Sequence, residues 1–165
     1  MTKIYYNAHI IEDTHKEILC GAIIVKDDII QGLLINNNIS KFEAEKIDLE
    51  KKMVIPSFIS DPSLTSINKE MSLASLLELV RDDKILNFNP LDYDPKELEF
   101  ILKSIGIKRL HINNDQLNNL NYLKEHNLID NMDILSLTSA NYLRANNQKS
   151  GIYKGLEFSK LKIYE

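Results

Sequence analysis

The chain has 165 residues, of which 44% are hydrophobic and 27% charged, the composition of an ordinary globular protein. A formal charge of −4 offers no broad basic field, so nucleic acid and anionic membranes are not expected partners. No apolar run approaches the roughly 18 residues of a membrane span, the first residues lack a secretory signal pattern, and the single cysteine, Cys20, forms no intrachain disulfide. These features predict a cytoplasmic protein. The 23 Ile, 17 Asn and excess of Lys over Arg look like codon pressure from an AT-rich genome, so a lone Asn or Lys carries little functional weight.

In chain order, Lys3 to Ile11 is rich in β-branched and aromatic residues and predicts a strand, closed by Glu12-Asp13-Thr14. Ile18 to Val25 and Ile29 to Ile35 predict a hairpin joined at Asp27-Asp28, with Gly21 marking a bulge or a close approach. Lys46 to Leu49 alternates as a half-buried strand, and Met53-Val54-Ile55 is a further strand stopped by Pro56. These runs predict an antiparallel or mixed sheet packed on one face.

After Ile59 the period changes. Leu73, Leu76, Leu77 and Val80 lie on one helical face, read as core packing. Asp94-Pro95-Lys96-Glu97 combines a cap, a first-turn proline and a glutamate three residues on, followed by the stripe Leu98, Ile101, Leu102 and Ile105 and then Gly106. Ile107 to Ile112 predicts a strand, and Asp115 to His126 and Asn131 to Asn146 predict helices. The final residues return to strand character, ending in Leu161 to Tyr164. The fold class expected is therefore α+β (mixed α/β). Residues 1–59 and 148–165 together would form a β domain, and 60–147 a shorter α/β insert.

The run Lys46-Ile47-Asp48-Leu49-Glu50-Lys51-Lys52-Met53-Val54-Ile55-Pro56-Ser57-Phe58-Ile59-Ser60-Asp61 resembles the segment that leads into the catalytic barrel of the amidohydrolase superfamily. Ile4 to Ile11, the Gly21 to Ile30 hairpin, the helix ending at Ser139-Ala140-Asn141-Tyr142-Leu143-Arg144 and the run from Lys149 to Tyr164 resemble other parts of that family in the same order. The likeness is to dihydroorotases and N-acetylglucosamine-6-phosphate deacetylases, in a degenerate and shortened form. It implies a hydrolase of C–N bonds in which a His-x-His pair binds a divalent metal that activates water.

Two features oppose that chemistry. Pro62 and Leu64 stand where the resemblance places the two imidazoles, or Ser63 and Thr65 if one residue is inserted. The stretch from Ser60 to Asn147 also holds only two or three βα units at roughly 30 residues each, where a closed barrel needs eight. By the same resemblance, His111 and Asp115 would be the vestigial catalytic candidates, with Asp115 standing at the acid after the last barrel strand. A helix cap is the plainer role for Asp115.

His9, His15 and His126 read as surface or turn residues, and Cys20 as a buried inert thiol. Asp27-Asp28, Asp82-Asp83 and Asp92/Asp94 read as turns and caps. The expected function is non-catalytic binding or assembly without cofactor, as a homo-oligomer or beside a larger catalytic homologue. The alternative is a reduced hydrolase whose site, with Zn or another divalent metal, is completed across an oligomer interface.

Overall fold

The computed structural model describes residues 1–81, 84–113 and 118–164, and the side chains of Leu73 and Val80 are not described. The chain forms two compact units, one of Met1–Ser57 joined by the segment from Gly151 onward, the other Phe58–Ser150. The fold is mixed α/β.

The first unit is a six-stranded mixed sheet with the order β3-β2-β1-β5-β8, in which β4 also pairs with β1. Strands β1 (Thr2–Asp13), β2 (Lys16–Lys26) and β3 (Ile29–Leu34) form an antiparallel meander. Asp27 and Asp28 connect β2 to β3 at φ 51° and 64°, a left-handed pair that short acidic side chains tolerate and that matches hairpin twist.

Strands β4 (Glu45–Asp48) and β5 (Met53–Pro56) share one edge of β1 and both run parallel to it. Between them Glu50 and Lys51 take φ 55° and 65°, and Lys51 N–H donates to the Asn7 carbonyl. The turn thus shifts the chain sideways along β1 without reversing it. The segment from Gly151 returns antiparallel to β5 as β8 (Leu161–Tyr164). On the way it exchanges backbone bonds with Ile30 through Gly155 and Leu156, and Phe158 N–H donates to the Asp28 carbonyl. The two chain ends therefore lie in one sheet, β1 and β8 flanking β5.

The expectation of one packed face is corrected. Ile10, Ile23, Val25, Ile30, Val54 and Ile152 form a core with the stacked rings of Tyr5 and Phe158. Ile4 and Ala22, whose side chains alternate to the other face, pack with Ile39 and Phe42. The expected burial of Cys20 is also corrected: its side chain is exposed and accepts a bond from Asn37 Nδ2 at 2.9 Å. Pairing shifts register between Ala8↔Gly21 and Ile10↔Ile18, and this bulge turns both Leu19 and Cys20 to solvent.

The second unit alternates short parallel strand pieces with helices. Asn87 bridges Ser66, β6 (Leu86–Asn87) pairs with β7 (Leu110–His111), and α1 (Leu73–Arg81), α2 (Pro95–Ser104) and α3 (Asn118–Glu125) follow the three pieces in turn. At α2 the Asp94 carboxylate accepts from Glu97 N–H while Glu97 accepts from Asp94 N–H, the reciprocal cap read from the sequence. Gly106, at φ 91°, leads the chain out of α2.

The strand expected over Ile107 to Ile112 is shorter, because Ile107–Arg109 form a 3₁₀ turn. The core role expected of the α1 face is also revised, since Leu77 is 49% exposed.

The helix expected from Asn131 is continuous but irregular. Between α4 (Asn131–Leu135) and α5 (Asn141–Ala145) lies a π-helical turn, Ser136–Ala140. Ser136, Thr138 and Ser139 direct their hydroxyls to the carbonyls four residues back, and such bonds disturb regular helix geometry.

Packing at the bulge gives a direct test. A Cβ on Gly21 would lie 2.5 Å from the Leu34 carbonyl oxygen and 2.6 Å from Ile18 Cγ2, whereas one on Gly32 meets nothing within 4 Å. Gly21→Ala should lower unfolding stability in urea by about 1–3 kcal/mol. Gly32→Ala should change it by no more than about 0.5 kcal/mol.

Candidate functional site

The polar groups that follow β5 in sequence converge in the second unit. The π-helical turn exposes carbonyls to outside donors: Ile59 N–H donates to Thr138 O at 2.9 Å and Ile112 N–H to Leu137 O at 2.8 Å. These two bonds place Ile59 and the end of β7 side by side. Asn141, at the start of α5, donates from Nδ2 to the carbonyls of Ile107 and Leu110 and holds the approach to β7.

On this frame His111 is wholly buried, and its Nε2 donates to the Ile59 carbonyl at 2.8 Å. That bond selects the tautomer protonated at Nε2 and leaves Nδ1 as a bare acceptor without a partner. Burial pushes the pKa of the ring down, opposed in part by the Ile59 bond and the nearby Asp61 carboxylate. The imidazole is therefore neutral at pH 7.

Asp61 is the centre of the remaining bonds. Its Oδ1 accepts from Ser63 Oγ at 2.6 Å and Ser63 N–H at 2.9 Å, and its Oδ2 accepts from the Tyr142 hydroxyl at 2.9 Å. Its own N–H donates to Asn113 Oδ1 at 2.9 Å. The Ser63 hydroxyl, with Ser63 N–H and Tyr142 adding to it, holds the Asp61 carboxyl below the ordinary carboxylate range. The Tyr142 phenol, donating to the Asp61 carboxylate, is raised by that hydrogen bond. The Tyr142 ring lies 5.5 Å from that of His111, centroid to centroid.

Asp115, the other catalytic candidate, lies outside the described residues, as do Asp82 and Asp83. Pro62 and Ser63 are exposed in a turn and Leu64 is half-buried. His9 contacts Glu17 in the first unit, His15 is exposed in the β1–β2 turn, and His126 sits edge-on to Tyr122 near the end of α3. Among the described residues no group of three His, Cys, Asp or Glu side chains is placed to hold a metal ion. No helix among them is long and apolar enough to cross a membrane.

The Asp61–Tyr142–Asn113 grouping was not singled out from the sequence. Tyr142 is 81 positions from Asp61, and no local pattern links them.

The charges of the cluster titrate in predictable directions. Below about pH 6.5 the unfolded chain protonates His111 while the folded chain does not, so stability falls as pH drops through that value, until the folded ring also titrates. Asp61 acts lower: its stabilisation is complete above about pH 4 and is lost as pH falls through the depressed folded value. Urea unfolding of His111→Gln should show a shallower loss between pH 7 and 5.5 than the parent. Asp61→Asn should remove part of the loss below pH 4.

No protein-family model matches the chain, and no curated protein matches it. Solved structures do. One titled an amidohydrolase has 14% identity and a TM-score of 0.31, covering 68% of this chain and 31% of its own. A D-hydantoinase has 19% identity and a TM-score of 0.31, covering 67% and 33%. An N-acetylglucosamine-6-phosphate deacetylase from Pasteurella multocida has 13% identity and a TM-score of 0.32, covering 78% and 43%. The matched part spans about a third to two-fifths of those chains' length.

Proposed function

We propose that this is a cytoplasmic, non-catalytic amidohydrolase-like protein with a shortened barrel region, whose work is binding or assembly. Its partner on this reading is a second copy or a larger catalytic homologue. The observation that carries the reading is the commitment of the Asp61 carboxylate. Both of its oxygens accept hydrogen bonds from Ser63 and Tyr142, leaving it a structural anchor. Beside it, the His111 ring uses Nε2 on a backbone carbonyl, and its full burial keeps it from a residue of another subunit. Pro62 and Leu64 supply no metal-binding side chain, and neither do the hydroxyls of Ser63 and Thr65 match the imidazoles that metal activation of water employs in the family.

Elemental analysis of the purified full chain, after incubation with Zn²⁺, Mn²⁺ or Ni²⁺ and removal of excess metal, should find no stoichiometric ion. Assays with hydantoin, dihydropyrimidine and N-acetylated amino-sugar substrates should detect no turnover. One bound ion per chain together with hydrolysis of any of these would refute the proposal.

A further inference from the structure

We draw no further inference here: the strongest candidate, the groove beside α2 walled by Met71, Leu76, Phe100 and Ile101, is an apolar surface edged by exposed lysines, and nothing in the structure shows what covers it.

Discussion

A backbone taken out of water must find partners for its amides and carbonyls, and in the second unit that requirement decides what the side chains are free to do. Ile59 gives its N–H to Thr138 and its carbonyl to His111, and Asp61 gives its N–H to Asn113. The supply of acceptors comes from an irregularity in a helix. Where Ser136, Thr138 and Ser139 draw the chain into a π-helical turn, the carbonyls of Leu137 and Thr138 turn to neighbours from elsewhere in the sequence. Without that turn, Ile59 and Ile112 would each lack an acceptor, at a cost of about 1–3 kcal/mol per buried group. The side chains of His111, Asn113 and Tyr142 are thereby committed to the protein's own framework.

The sheet of the first unit obeys a different constraint. Strand β5 carries four buried residues and needs a neighbour on both sides. Strand β1 supplies one through a parallel pairing and β8 the other through an antiparallel one. This joins the beginning of the described chain to its last strand and makes the unit depend on contacts of very long sequence separation. Such pairings carry a large loop-closure entropy, offset here by apolar packing on both faces of the sheet.

What was legible in the sequence was whatever is local. The Asp94–Glu97 cap and the Asp27-Asp28 turn depend on residues within a few positions of one another, and both form as their chemistry predicts. The meeting of the two ends in one sheet followed from the strand character they share across a more helical middle. Cys20 was misread because one extra residue in β2 reverses which side of the strand faces out, and alternation alone does not locate a bulge. The π-helical turn inside the last long helix was not legible because the periodicity there is helical throughout. The hydroxyls that disturb it act through backbone carbonyls, which a hydrophobic pattern does not register. The cluster around Asp61 was invisible for a simpler reason: Tyr142 and Asn113 reach it only once β7 and α5 are packed.

The run from Gly155 to Tyr164 touches two margins of the same sheet, bonding to Ile30 and Asp28 at β3 and pairing fully with β5. One stretch of chain therefore shields two rows of backbone donors and acceptors that would otherwise face water. Were a protease to remove it, both rows would be bared at once, and the remaining strands would become a template for ladder growth between molecules. The same segment also packs Leu156, Phe158 and Leu161 against the core, so its removal would bare apolar surface together with the open edges.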